Sequence, residues 1–347
     1  MRFSIFIGVL STLGAVVVAP VVAAPASPGR VLIVVSGNGA DAGKTRPGFE
    51  MDELAQAYAV FAENGLAIDI ASPAGGKVEA DKFDPTKPYN KRFLADATAV
   101  NKLAATRSMA DAAREKFDGV FIIGGKGAMF DLPVNADLKS LLASTYASEG
   151  VIGAVCHGPA VLINVPLADG RKLAKGHRMT GFSNAEETLF GKRWAAQFPV
   201  LLEDGLRGAG ATFSAAPMML SHVVTDGRLV TGQNPYSTPQ AVEAMIRAMG
   251  RTPKARTAWA DERSIALIQA VVEERGAEAR AKLAADPASY DVPLIAMWGF
   301  YRAKSVGDDR ISLTRAIEVM EIAAPHYPEP QLAAAITESK ARLAAIR

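Results

Sequence analysis

The chain has 347 residues, of which 49% are hydrophobic and 21% charged, a globular composition long enough for one large domain plus a smaller one. Lys and Arg total 38 against 36 Asp and Glu, a net charge of +2, so no electrostatic case exists for nucleic acid as a partner. Cys156 is the only cysteine, which excludes intramolecular disulfides and multi-cysteine metal sites.

Residues 1–26 have the layout of a secretory signal peptide. Arg2 precedes an apolar run over residues 3–19, and the small residues around Ala24-Pro25-Ala26 offer a cleavage site. The run is barely long enough to span a bilayer. The expectation is therefore a periplasmic or secreted protein, with no stable membrane association once the leader is cleaved. Exported without disulfides, it must be stabilised by its core.

After a Pro/Ser/Gly linker, residues 30–35 form a continuous apolar run, the pattern of a strand buried on both faces. Residues 36–48 are a glycine-rich loop, but Gly43-Lys44-Thr45 lacks the upstream glycine of a phosphate-binding loop. Periodicity predicts a helix over 52–64, with Leu54, Ala57, Tyr58 and Phe61 inward and Asn64-Gly65 as its stop. A strand over 66–71 follows, then a Pro-rich polar insertion over 81–89 and helical material as far as residue 116. Residues 117–123 read as a buried strand leading into Gly124-Gly125-Lys126-Gly127, and residues 138–148 as a helix.

The stretch 151–160 organises the rest. It reads as a short buried strand, a tight turn at Cys156 and a helix beginning near Pro159. Ala154 and Gly158 flank the cysteine two positions away on each side, where a nucleophile elbow has no room for bulk. Proline suits the first turn of a helix, and a thiol at a helix N-terminus is biased toward thiolate. A free cysteine is ordinarily a small buried hydrophobe. The elbow makes Cys156 a nucleophile instead.

Further on, Asp169-Gly170 and Lys175-Gly176 mark turns, and residues 199–202 suggest an edge strand. Residues 222–224 and 229–231 straddle an Asp226-Gly227 hairpin turn. Gly232-Gln233-Asn234-Pro235 opens a helix over 238–249, where the first domain closes. Strands alternating with helices predict an α/β sandwich with a mostly parallel sheet. Cys156, the 124–127 loop and the loop after Val35 all fall at strand C-terminal ends, where such sheets collect functional residues. Residues 253–347 show only helical periodicity, with Ile295, Trp298, Tyr301, Ala316, Val319 and Ile322 at core spacing. Part of this extension, residues 301–328, loosely resembles one tetratricopeptide hairpin, without a 34-residue repeat. Simple packing on the first domain and a surface for a partner or a second copy, as in a homodimer, are both open for it.

Within residues 30–250, the segments 48–55, 70–76, 124–127, 154–160, 180–184 and 232–235 occur in order and with compatible spacing. Together they resemble the ThiJ/PfpI superfamily, closest to its branch of heat-shock-type chaperones and glutathione-independent glyoxalases (glyoxalase III, or D-lactate dehydratase). The resemblance implies a flavodoxin-like three-layer α/β sandwich, the class I glutamine amidotransferase-like fold, over 30–250, with the all-helical extension 253–347 outside it. It implies that Glu53 hydrogen-bonds the sulfur of Cys156 and that His157 is the paired histidine. Glu187 matches the acid that orients this histidine, although neighbouring Glu186 is an equal candidate by composition. Backbone N–H groups of Gly125 and His157 would form an oxyanion hole. Lys126 is a departure, since many relatives have histidine there, and it bears on substrate preference. No cofactor and no metal are implied.

The roles are chemically coherent. A thiolate attacks an aldehyde carbonyl, and the resulting oxyanion needs preorganised donors. For a 2-oxoaldehyde the hemithioacetal must then pass a proton between neighbouring carbons, work for a carboxylate of raised pKa, here Glu53. Glutaminases share the elbow but need a separate histidine with an acid two residues later, and His177, His222 and His326 lack this context. A cysteine peptidase is chemically open but no substrate groove is signalled. The rivals are a holdase chaperone with client proteins, which needs exposed apolar surface, and a sensor whose thiol oxidises to sulfinic acid.

Overall fold

The computed structural model describes residues 29–346, so the signal peptide expected over residues 1–26 lies outside the described residues. The central sheet contains β1 (Arg30–Val34), β2 (Ala67–Ser72), β3 (Arg107–Ser108), β4 (Gly119–Ile122) and β5 (Val151–Val155). A separate pair, β6 (Arg178–Met179) and β7 (Thr212–Phe213), precedes the hairpin of β8 (Val223–Asp226) and β9 (Leu229–Gly232). Strand order in the seven-stranded sheet is β3-β2-β1-β4-β5-β9-β8. Every pairing in it is parallel except β8 with β9. The apolar runs of β1, β4 and β5 are buried along almost their whole length, because helices cover both faces of a parallel sheet.

Helices α1 (Met51–Glu63), α2 (Pro88–Ala95), α3 (Ala97–Ala104), α4 (Met109–Ala112) and α5 (Ala136–Ala147) connect the first strands. β1 to β2 and β4 to β5 step in opposite directions across the sheet. Right-handed crossovers therefore put α1 and α5 on opposite faces. After β5 come α6 (Asn184–Phe190), α7 (Lys192–Ala195), α8 (Leu202–Gly208) and α9 (Thr238–Ala248). α9 packs against α1, β5 and β9, which completes the third layer. The mostly parallel α/β sandwich is present as expected.

Two local expectations fail. The edge strand at 199–202 is absent: Leu202 instead opens α8, burying itself and Leu206 while Glu203 and Asp204 sit in the first turn, where acids complement the helix dipole. The helix expected after the elbow is a short 3-10 helix over Gly158–Asn164. Aligned peptide dipoles are therefore few behind Cys156.

The extension consists of α10 (Ala260–Val272), α11 (Gly276–Ala285), α12 (Val292–Ser305), α13 (Arg310–Ala323) and α14 (Pro330–Ala345). It has its own apolar core, in which Ile295, Trp298, Ala316, Val319 and Ile322 are buried as their spacing predicts, whereas Tyr301 is only half-buried, against the rings of Phe190 and Phe300. Met219 and Leu220, from the loop before β8, belong to that second core. Polar links reinforce the junction. The Tyr89 hydroxyl donates to Asp261 Oδ2 at 2.9 Å and lies 3.1 Å from Asp52 Oδ2. Arg256 pairs with Glu243 of α9 and Glu262 of α10.

Candidate active site

Cys156 follows β5 with φ at +58°, a left-handed conformation that costs a non-glycine residue free energy and persists only where surroundings impose it. Here both backbone polar groups are pinned. The Cys156 N–H donates to the Gly232 carbonyl at 3.0 Å, and the Phe182 N–H donates to the Cys156 carbonyl at 2.9 Å. A Cβ at Gly158 would lie 2.5 Å from the Ile122 carbonyl oxygen, so the elbow tolerates only glycine there. The sequence expectation of a strained, sterically crowded turn holds.

Glu53, the third residue of α1, is fully buried, and its Oε2 accepts from the Gly124 N–H at 2.6 Å. The other oxygen, Oε1, is buried without a hydrogen-bond partner, and the carboxyl and the Cys156 thiol are close enough to shift each other's titration. Burial, helped by the nearby Glu50 charge, holds Glu53 well above the usual carboxylate range. The shift favours the protonated form of the acid. Burial also pushes the Cys156 thiol up, against the Gly125 N–H, which favours the thiolate. The thiolate bias expected from a helix N-terminus is not found, because desolvation outweighs the short helix behind it.

His157 is buried with its ring 4.5 Å from that of Phe182, centroid to centroid. Its Nδ1 lies 3.3 Å from Cys156 Sγ and its Nε2 2.8 Å from Glu187 Oε2. Burial lowers the imidazole pKa despite the support of Glu187, and the Lys126 charge lowers it further. With the Nε2 proton donated to Glu187, Nδ1 is left as an acceptor facing the thiol.

Glu186 does different work. Its carboxylate accepts from the Ser183 N–H in a capping box of α6, and from Met219 N–H, Gln233 Nε2 and Asn234 Nδ2 at 2.8–3.0 Å. Glu187, one residue on, points to the histidine. The choice that composition left open is made by the phase of α6.

Gly125 has φ at +89°, and a Cβ there would meet Glu50 N at 2.6 Å and the Gly48 carbonyl oxygen at 2.7 Å. Only glycine lets this backbone approach the thiol. The cleft above Cys156, partly open to solvent, has a volume of about 220 Å³ and includes Gly125, Lys126, His157, Glu50 and Asp81 in its lining. Glu50 is raised to about 7 by burial and by the charges of Asp52 and Asp81, with Lys126 opposing. Asp81 is raised by burial, against its hydrogen bond from the Gly48 N–H, 2.6 Å long. Sequence reasoning missed both carboxylates, and also Phe190, Tyr236 and Met297 in the same lining. Asp81 was visible only as part of a polar insertion.

Residues 45–248 match the DJ-1/PfpI family. The chain is similar to glutathione-independent glyoxalase hsp3101 of Schizosaccharomyces pombe, 33% identical over 64% of this chain and 96% of that protein. It is also similar to glutathione-independent glyoxalase HSP31 of Saccharomyces cerevisiae, 30% identical over 59% of this chain and 83% of that one. Among solved structures, glyoxalase III of Candida albicans superposes with a TM-score of 0.57 at 27% identity, covering 63% of this chain and 97% of that chain.

Proposed function

The chain belongs to the DJ-1/PfpI family, and from that premise we propose that it is a glutathione-independent glyoxalase, converting 2-oxoaldehydes to 2-hydroxy acids on Cys156. The observation that carries this reading is the thiol held in a left-handed turn between a buried acid of raised pKa and a histidine acceptor. The names of the similar glyoxalases support the activity.

In the proposed sequence, His157 Nδ1 takes the thiol proton as sulfur bonds to the aldehyde carbon. The Gly125 and His157 N–H groups stabilise the oxyanion, and Glu53 protonates it, becoming a carboxylate. That carboxylate removes the hydrogen from the former aldehyde carbon and returns it to the neighbouring carbon. The histidine shuttles the hydroxyl proton between the two oxygens. The product is a thioester of the 2-hydroxy acid; water releases the acid and regenerates the thiol, and the proton that His157 took passes to Glu53, which restores both groups. Glu187 keeps the imidazole in its tautomer throughout. We further propose export to a periplasmic or extracellular space, on the signal-like layout of residues 1–26.

The test is lactate production from methylglyoxal without glutathione. Turnover should vanish in Cys156→Ala and fall about 10²–10⁴-fold in Glu53→Gln, with circular dichroism unchanged. Absence of turnover in the wild type removes the proposal.

A further inference from the structure

The cleft is larger than a small aldehyde needs. Its volume of about 220 Å³ is many times the roughly 10–15 Å³ that one water needs on the same measure, so methylglyoxal, with five non-hydrogen atoms, would leave part of it empty. Its apolar lining comes from Phe182, Phe190, Met219, Tyr236 and Met297. The last of these belongs to α12, beyond residue 248 where the family match ends. Met297 is 40% exposed although its neighbour Trp298 is fully buried. Trp298 Nε1 donates to the Met218 carbonyl at 2.9 Å, and Tyr301, one turn along α12, packs edge-on against Phe190 at 5.7 Å. These two contacts fix the helix over the cleft, so Met297 is placed rather than left over. It also lines an adjoining apolar groove with Phe300, Tyr301, Tyr327 and Leu332, which gives a long substituent somewhere to go.

We propose that α12 makes this a site for 2-oxoaldehydes bearing an apolar arm, aryl or branched alkyl, with Met297 as the specificity-determining contact. The substrate class rests on the glyoxalase reading, whereas the preference for an apolar arm belongs to the cleft itself and is measurable without turnover. A thioether side chain adapts to differently shaped arms and makes favourable contact with aromatic rings. An unsubstituted small aldehyde would still react at Cys156 but gain nothing from the wall.

Because Cys156 is the only cysteine, its alkylation reports on the cleft by a single mass shift. Rates with phenacyl bromide and bromoacetone, which present a phenyl or a methyl arm beside the same reactive carbon, are each divided by the rate with 2-mercaptoethanol. The wild type should favour the phenyl reagent by about tenfold, the size of effect a hydrophobic pocket delivers. Met297→Ser should cut that preference about threefold or more, with an unchanged melting temperature and an unchanged bromoacetone rate. Equal normalised rates in the wild type, or a preference untouched by the substitution, would overturn the proposal. A retained preference in a protein that turns over no 2-oxoaldehyde would contradict the glyoxalase reading and support the apolar wall. A lost preference with methylglyoxal turnover intact would do the reverse.

Discussion

The α/β region and the helical extension contribute to the cleft in opposite ways. Every polar group around Cys156 comes from the first: Glu53 from α1, Gly125 and Lys126 after β4, His157 after β5 and Glu187 from α6. Among the described residues, the second contributes no titratable group to the lining, only Met297, and otherwise grips the loop carrying Met218 and Met219. Chemistry needs atoms held by rigid strand ends and buried hydrogen bonds, which a parallel sheet supplies at its C-terminal edge. Selectivity needs shape and apolar area, which an added helix can bring without touching the reacting atoms. On this view the reaction and its preferred substrate are encoded in different parts of one chain.

The comparison is broken most severely at the junction. Trp298→Ala removes a fully buried indole and leaves the Met218 carbonyl without its donor, a loss of about 3–5 kcal/mol. Denaturant titration should show one cooperative transition shifted to lower denaturant. If the helices melt separately while the remainder is unaffected, the extension is an appendage and the comparison fails.

Next in size is the contrast between adjacent carboxylates. Glu186→Ala strands buried donors of Met219, Gln233 and Asn234 and should lower stability by about 2 kcal/mol or more. Glu187→Gln should leave stability nearly unchanged and reduce kcat about 10²-fold.

The smallest effect is a shift in pH profile. The proposed mechanism uses the base form of His157, so kcat/KM should rise with pH through its pKa, which lies below the ordinary histidine value. Glu187 raises that pKa and Lys126 lowers it. Glu187→Gln should therefore move the acid limb to lower pH and Lys126→Met to higher pH. Limbs that move the same way in both variants would remove His157 as the base.

How much of this was legible in the sequence follows from how local each constraint is. The elbow was readable because its steric demands fall on residues two positions either side of Cys156. The buried strands were readable because two covered faces require uninterrupted apolar residues. Assigning Glu187 over Glu186 depended on the phase of α6, and a signal was present: Ser183 followed by Glu186 three residues later is a capping box. That pairing commits Glu186 to the helix start and leaves Glu187 for the histidine. The segment 199–202 misled because a short apolar cluster looks alike in an edge strand and at a helix start. Glu50 and Asp81 are brought to the cleft by loop geometry with no periodicity to read. Met297 falls off the buried stripe marked by Ile295 and Trp298, and nothing in the spacing says what an outward methionine faces.

The most direct test of the division of labour is steady-state kinetics with methylglyoxal and phenylglyoxal for wild type, Glu53→Gln and Met297→Ser. The account predicts that Glu53→Gln lowers kcat for both substrates alike, whereas Met297→Ser raises KM for phenylglyoxal and leaves methylglyoxal kinetics unchanged. A Met297→Ser enzyme slowed equally on both substrates, or a Glu53→Gln enzyme of undiminished kcat, would contradict it.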